Sequence, residues 1–123
     1  MNEHKCFQPQ STVPNEEQLT ATGKLLAVAS HPARLLVLFA LGRLGPQNAG
    51  QLQDIAQMEQ SAMSHQLAVL RKARLITSQR QGKHVLYALA DEHVLHILED
   101  ALSHVCERIE HPSQTVEPIA ETS

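Results

Sequence analysis

Two short amphipathic segments separated by a very short break constrain the fold of this chain more than any other feature of its sequence. Residues 49–58 and residues 61–73 each carry apolar side chains at helical spacing, and only Glu59-Gln60 lies between them. The recurring apolar positions are Leu52, Ile55 and Ala56 in the first segment and Met63, Leu67 and Leu70 in the second. A stripe with the helical period indicates an amphipathic helix. Two such helices joined by so tight a turn are typical of a helix-turn-helix.

Residues 75–90 predict a β-hairpin directly after the second of these helices. Apolar and polar residues alternate on both sides of Gln81-Gly82, as they do in strands that bury one face. The alternating apolar residues are Ile76, Val85, Tyr87 and Leu89, and the tip carries Arg80, Lys83 and His84. The hairpin is therefore predicted to be a wing with a basic tip.

Further helices are predicted on both sides of this unit. Apolar residues indicate a first helix over residues 16–30, and Pro32 suits the first turn of a second, largely apolar helix. Gly45-Pro46 ends the second helix, and Asn48 can cap the next one. A last helix of about 19 residues follows Asp91, which is a natural N-cap. The order predicts a mainly α fold with a small β-hairpin wing, which is a winged helix-turn-helix.

The chain is predicted to be one domain with two tails. Its 123 residues suffice for a single domain. Residues 1–15 and 112–123 are polar, contain prolines and show no helical period, so we expect flexible tails around a folded domain at residues 16–111. No apolar run is long enough to span a membrane, the N-terminus does not resemble a signal peptide, and two cysteines are too few for a disulfide framework. A cytoplasmic protein is the expectation.

The charge is distributed very unevenly. The formal net charge is −3, yet residues 60–90 contain no Asp or Glu and carry a charge of +5, so the rest of the chain carries −8. The basic residues of that segment are Arg71, Lys72, Arg74, Arg80 and Lys83. A basic module inside an acidic chain indicates a polyanionic partner such as nucleic acid.

The second helix of the helix-turn-helix has side chains that suit DNA contacts. Its N-terminal end carries Ser61, Ser64, His65 and Gln66, short polar residues that can reach base edges or phosphates. At the wing, Arg80 and Lys83 would lie along the adjacent DNA backbone. The alternative is a solvated basic face on a helical domain. The absence of acidic residues over 31 positions favours operator DNA as the partner.

The last helix carries four residues that are typical metal ligands: Asp91, His93, His104 and Glu107. On a helix, His93 and His104 lie within about 20° of the same face but about 16 Å apart along the axis. Zinc needs all its ligands about 2 Å from one ion, so one helix cannot assemble these four. In the alternative interpretation, Asp91 is only an N-cap and the histidines are exposed polar residues. His96 lies on a neighbouring face, where it could be a fifth ligand, a hydrogen-bond partner of a ligand or, as we expect, neither.

Two copies of this helix can assemble the site that one copy cannot. When they pack antiparallel across a two-fold axis, the first pair of ligands from one subunit meets the second pair from the other, and symmetry creates a second site. The helix also has enough apolar surface to bind a partner helix: Val94, Ile97, Leu98, Ala101, Leu102 and Val105. The spacing thus predicts a homodimer together with the metal.

Residues 61–107 closely resemble the ArsR/SmtB metal-sensing repressors, particularly their zinc-responsive branch. The matching motifs are Ser61-x-x-Ser64-His65-Gln66-Leu67, the Arg80-Gln81-Gly82 turn, His84-Val85 with Tyr87, and Asp91-x-His93 followed by His104-x-x-Glu107. Weaker similarity extends back to about residue 19. The resemblance implies a homodimer formed through the N- and C-terminal helices, which binds operator DNA when metal-free and releases it when metal binds.

The chain departs from one branch of that family. Members that sense arsenic, cadmium or lead carry a cysteine-containing box before the recognition helix, where this chain has Asn48-Ala49-Gly50-Gln51 and no thiol. Two imidazoles and two carboxylates suit tetrahedral Zn(II), then Co(II). Ni(II) prefers about six ligands and ranks third, since it would have to recruit His96, His4 or the N-terminus.

Two other functions compete with metal sensing. A redox or persulfide switch on the same scaffold would use Cys106 together with Cys6, although Cys6 lies in the predicted tail. A zinc hydrolase would need an open metal position and a substrate pocket, and the chain offers no further cluster of acid–base residues. We therefore predict a regulator that is not an enzyme and has no small organic substrate or membrane partner.

Overall fold

The computed structural model describes residues 13–110 and contains five helices and three strands in that range. The elements are α1 (Glu16–Ala29), α2 (Pro32–Leu44), β1 (Gln47–Asn48), α3 (Ala49–Ala56), α4 (Gln60–Lys72), β2 (Ile76–Gln81), β3 (His84–Leu89) and α5 (Glu92–Glu110). This order confirms the predicted mainly α fold with a hairpin wing. The predicted C-terminal tail and most of the N-terminal one lie outside the described residues.

Two helices begin with the same reciprocal cap. Asn15 accepts a hydrogen bond from the backbone N–H of Gln18 at 2.8 Å, and the Gln18 side chain accepts one from the Asn15 N–H at 2.9 Å. Asn48 and Gln51 repeat this arrangement at the start of α3, with both bonds at 2.8 Å. The predicted capping role of Asn48 is confirmed. Such boxes satisfy N–H groups that have no partner inside the helix.

The turn between α3 and α4 begins earlier than the sequence pattern predicts. Gln57 adopts a left-handed conformation with φ of 54°, which ends α3 after Ala56. Gln60 is already the first residue of α4, and Glu59 is its N-cap. The predicted break at Glu59-Gln60 is therefore wrong by one to two residues, because apolar periodicity alone does not report where a backbone turns left-handed.

The hairpin has a third strand that the sequence pattern does not predict. β2 and β3 pair antiparallel, and Gly82 occupies the first position of the two-residue loop with φ of 60°, as a type II′ turn requires. β1 pairs antiparallel with β3, with Gln47 opposite Tyr87, so the sheet order is β1-β3-β2. A strand of two residues is too short to show alternation. It places the start of α3 against the wing.

The core is apolar, and its most deeply buried side chains come from the three central helices α2, α3 and α4. The largest fully buried side chains are Val37, Leu38, Leu52, Met63 and Leu70. The predicted stripe on α4 is confirmed, since Leu67 is also buried. On α3 the stripe is only partly buried, because Ile55 is 38% exposed. Burial on one side of α4 leaves its other side free to face a partner.

No single helix within residues 13–110 is long and apolar enough to cross a membrane. Taken together, α1 and α2 have the length and apolar composition of a membrane span, but the two helices meet at 90°. Four residues of α2 are buried in the core.

An ion pair joins α2 to α5. Arg43 donates two hydrogen bonds of 2.7 Å, from Nε and Nη2, to the two carboxylate oxygens of Glu99. The guanidinium also lies over the Phe39 ring, 5.2 Å from its centre. The hydrogen bonds from Arg43 lower the pKa of Glu99, and those to Glu99 raise the pKa of Arg43. The pair fixes the middle of α5 against the core.

Protonation of Glu99 is expected to weaken the fold. Because its pKa is lower in the folded protein, the ion pair stabilises the fold above the ordinary carboxyl pKa, and this contribution is lost as pH falls through the folded-state value. Glu99→Gln should therefore be less stable than the wild type at pH 7 and equally stable at the acid end. The difference should be small because both side chains are partly exposed. Denaturant unfolding across pH 3 to 7 (about the range in which carboxylates titrate) measures it.

Asp100→Asn is the matched control for this prediction. Asp100 is an exposed neighbour of Glu99 on α5, and within the described residues its side chain forms no ion pair. A stability loss at pH 7 that is as large in Asp100→Asn as in Glu99→Gln would contradict the role of the ion pair.

Candidate DNA interface and metal ligands

The exposed face of α4 carries three of the four polar residues predicted to contact DNA. Ser61, Ser64 and His65 are exposed and lie at positions i, i+3 and i+4, which share one side of a helix. Gln66 does not join them. It lies three residues after Met63 and four before Leu70, both fully buried, and it is itself half-buried. Its side chain oxygen instead accepts a hydrogen bond of 3.2 Å from Nη1 of Arg34 on α2.

The wing presents its basic residues at the surface. Arg80 is near the end of β2 and Lys83 is in the two-residue loop, and both are exposed. Within residues 13–110, no side chain of the five basic residues in the 60–90 segment forms an ion pair or hydrogen bond. These cations are therefore free to bind phosphates, and such contacts supply a large share of the affinity in protein–DNA complexes.

The first two candidate metal ligands lie together at the start of α5. Oδ1 of Asp91 accepts a hydrogen bond of 2.9 Å from the backbone N–H of His93, which confirms Asp91 as the cap of this helix. The same oxygen lies 3.3 Å from Nδ1 of His93. The side chains are 58% and 80% exposed, respectively. An exposed carboxylate and imidazole are thus held side by side by the helix cap.

The other two candidate ligands, His104 and Glu107, lie near the far end of α5 and are exposed. About three helical turns separate His104 from His93. Between residues 13 and 110, no three His, Cys, Asp or Glu side chains come close enough to hold one metal ion. The structure therefore brings Asp91 to His93 but does not bring this pair to the second pair within one chain.

Apolar residues accompany these ligands at the surface. The exposed ones are Leu19 and Leu26 on α1 and Ile97, Val105 and Ile109 on α5, each between 48% and 70% exposed. An apolar groove of about 170 Å³ runs between these two helices beside Asp91 and His93, lined among others by Leu26, Val94 and Ile97. Every residue from 103 to 110 is exposed, so the last two turns of α5 pack on nothing in the described part of this chain.

Of the two cysteines in the predicted thiol switch, Cys106 lies within the described residues and Cys6 does not. Cys106 is a free, exposed cysteine on α5. Cys6 and His4 lie outside the described residues, so the proposed pairing of Cys106 with Cys6 stays a prediction.

One residue at this site, Arg34, is not among those predicted from the sequence. It donates from Nε to the carbonyl oxygen of Val28 at 2.9 Å as well as from Nη1 to Gln66. The sequence gives a hint of the contact to Val28 only. Pro32 has no N–H to donate to the carbonyl four residues before it, so the Val28 carbonyl needs another partner. The contact to Gln66, 32 positions away, has no local signal.

The second helix of the helix-turn-helix has an exposed polar face, and the three-stranded wing beside it has an unpaired basic tip. This combination defines a winged helix-turn-helix protein of the DNA-binding type. Known proteins make the assignment specific. The family described as "Bacterial regulatory protein, arsR family" matches residues 31–78. The chain is 37% identical over 97 residues to the HTH-type transcriptional regulator NmtR of Mycobacterium tuberculosis, covering 79% of each chain. It belongs to the ArsR family of bacterial transcriptional regulators.

Two further relatives agree with this assignment. The HTH-type transcriptional repressor SmtB of Mycobacterium tuberculosis is 36% identical over 94 residues, which are 76% of this chain and 69% of that protein. The crystal structure of the AntR antimony-specific transcriptional repressor superposes with a TM-score of 0.73 at 27% identity, over 85% of this chain and 93% of that one. These relatives are transcriptional regulators rather than enzymes, in line with the prediction from sequence.

Proposed function

We propose that this protein is a metal-responsive repressor that binds operator DNA as a metal-free homodimer and is released when Zn(II) binds at two intersubunit sites. Each site would combine Asp91 and His93 of one subunit with His104 and Glu107 of the other. The observation that carries the proposal is the placement of two exposed ligand pairs at opposite ends of α5, with no site complete in the described part of one chain. The protein would act on DNA in the cytoplasm.

The geometry of the first ligand pair suits a tetrahedral ion. Two ligands that are each 2.0–2.1 Å from a tetrahedral zinc are separated by about 3.3 Å. Asp91 Oδ1 and His93 Nδ1 are 3.3 Å apart. Nitrogen and oxygen ligands rank Zn(II) first, Co(II) second and Ni(II) third. One relative is described as antimony-specific, so an inorganic effector has precedent on this fold.

The unpartnered end of α5 supports the dimer. Val105 and Ile109 on this helix end are exposed within residues 13–110, and such apolar surface favours a covering partner. Antiparallel packing of two α5 helices, with α1 alongside, would cover this surface and the groove between α1 and α5. The same packing would bring His104 of the partner subunit towards Asp91 and His93.

Repression and release would be opposite sides of one equilibrium. In the metal-free dimer, the exposed faces of the two α4 helices would enter successive major grooves about 34 Å apart, and the wings would contact the backbone. Zinc would favour a dimer geometry in which this spacing no longer fits. Operator DNA must then weaken zinc binding by the same factor by which zinc weakens operator binding.

Paired titrations test the proposal. A duplex selected from a random library by the metal-free protein serves as the operator probe, and zinc is titrated against a competing chelator with and without this duplex. We expect two zinc ions per dimer, release of the duplex on zinc addition, and weaker zinc binding when the duplex is present. His96→Ala is the matched control, because His96 lies on α5 outside the ligand set and should behave like the wild type. Tight duplex binding that zinc leaves unchanged would reject the proposal.

A further inference from the structure

Arg34 connects the end of α1 to the recognition helix. From the first turn of α2, its guanidinium donates to the Val28 carbonyl oxygen at 2.9 Å and to Gln66 Oε1 at 3.2 Å. Both hydrogen bonds are partly buried. One side chain thus holds three helices together: α1 through its last turn, α2 through its own backbone, and α4 through Gln66.

The contact to α1 satisfies a carbonyl that the local backbone leaves without a donor. The last carbonyls of a helix have no partner within it. Ser30 satisfies the carbonyl of Ala27 with both its backbone N–H and its hydroxyl. The residue four positions after Val28 is Pro32, which has no N–H to donate. Arg34 Nε supplies the missing donor, and this bond fixes the plane of the guanidinium before it reaches α4.

The contact to α4 also sets the orientation of the Gln66 amide. A guanidinium has only donors, so the oxygen of the Gln66 amide faces Arg34 and the nitrogen is turned away. Within the described residues that nitrogen makes no hydrogen bond. Gln66 lies on the side of α4 that carries Met63 and Leu70, away from the exposed Ser61 and His65.

We propose that Arg34 is a positioning residue for operator binding, and that Gln66 acts through Arg34 rather than by contacting a base. By bonding the fixed guanidinium, Gln66 sets how α4 is rotated against the end of α1, and hence how the face with Ser61, Ser64 and His65 meets DNA. This inference rests on the proposed function, in which α4 is the recognition helix. Because α1 also carries Leu26, the same contact links the proposed dimer surface to the DNA-binding helix.

Four variants of the full-length protein test the role of this contact: Arg34→Ala, Gln66→Ala, the double variant and Gln66→Glu. Operator affinity of the metal-free protein is measured with the selected duplex over a range of salt concentrations. Each alanine variant should bind about tenfold more weakly, because each removes the charge-assisted hydrogen bond between Arg34 and Gln66, and Arg34→Ala also removes the bond to Val28. The double variant should bind no more weakly than Arg34→Ala alone. Gln66→Glu should retain affinity within about twofold, because a carboxylate oxygen accepts from Arg34 at least as well.

The salt dependence separates positioning from direct contact. Arg34→Ala should leave the slope of log affinity against log salt unchanged, whereas Arg80→Ala should reduce it by about 0.9 for one lost phosphate contact. Arg43→Ala is the control for removing an arginine from α2, because Arg43 contacts α5 instead, and it should bind the operator like the wild type. Thermal unfolding of each variant confirms that the comparisons are made on folded protein.

Three results would overturn the inference: additive losses in the double variant, a reduced salt slope in Arg34→Ala, or a loss in Gln66→Glu as large as in Gln66→Ala. The last would mean that the amide nitrogen contacts a base. Failure of the proposed function has a different signature, in which Ser64→Ala and Arg80→Ala also leave operator binding unchanged. If those two weaken binding while Arg34→Ala and Gln66→Ala do not, only the positioning role is rejected.

Discussion

Mixing Asp91→Ala with His104→Ala, two variants that should each lose zinc binding, is expected to restore one zinc site per dimer. Each homodimer lacks one ligand in both sites and should bind zinc more than about 100-fold more weakly, since even the loss of a hydrogen bond to a ligand costs 10- to 100-fold. In the mixed dimer, both substitutions fall in the same site. The other site then has Asp91 from the His104→Ala subunit and His104 from the Asp91→Ala subunit.

The measurement is a zinc competition titration on mixed dimers that are purified through two different affinity tags. A mixture of Asp91→Ala with His93→Ala provides the control, because these residues belong to the same ligand pair and each site of that dimer would lack one of them. This control dimer should not regain zinc binding. If the Asp91→Ala and His104→Ala mixture also fails to bind, while both proteins dimerise, the ligands do not combine across subunits.

Leu38→Ala is expected to destabilise the fold severely. Leu38 has 0% exposure at the centre of α2 and belongs to the same core cluster as Leu52 and Leu70. Truncating a buried leucine removes apolar burial and leaves a cavity, which costs about 2 to 5 kcal/mol. Against a total of about 5 to 15 kcal/mol for a typical domain, this is a large fraction. Denaturant unfolding at one fixed protein concentration measures it.

Leu44→Ala provides the matched control for Leu38→Ala. Leu44 ends the same helix and is 61% exposed, so the identical truncation removes little buried surface. It should change the unfolding free energy by less than about 0.5 kcal/mol. Equal losses in the two variants would mean that Leu38 does not lie in the core, or that a partner chain covers the C-terminal end of α2.

The helices and the hairpin could be predicted because their signals are local. Asn48 caps α3 through a contact to Gln51, three residues away. Gly82 forms the hairpin turn because its own φ angle is positive. The features that could not be predicted are of another kind. β1 has two residues and exists only because β3 runs beside it. The α3–α4 turn depends on the left-handed conformation of Gln57, and a glutamine does not predict such a conformation.

The candidate site divides in the same way. Asp91 and His93 lie two residues apart at a helix cap, so their proximity follows from the spacing alone. Ser61, Ser64 and His65 share a face for the same reason. The hydrogen bond of Gln66 could not be derived from its neighbours in sequence, because its partner Arg34 is 32 positions away.

The sequence by itself determined the order of helices and wing, the basic character of residues 60–90 and the spacing of the four candidate ligands. These depend on residue type and on interactions within about one helical turn. Only the tertiary structure decided which arginine holds the half-buried Gln66 of α4. The tertiary structure also decided that α5 is held at Glu99, 56 positions from Arg43, while its last turns contact nothing else in the described part of the chain. Such contacts depend on how helices pack against one another, and that geometry is set by the whole core rather than by any segment of the chain.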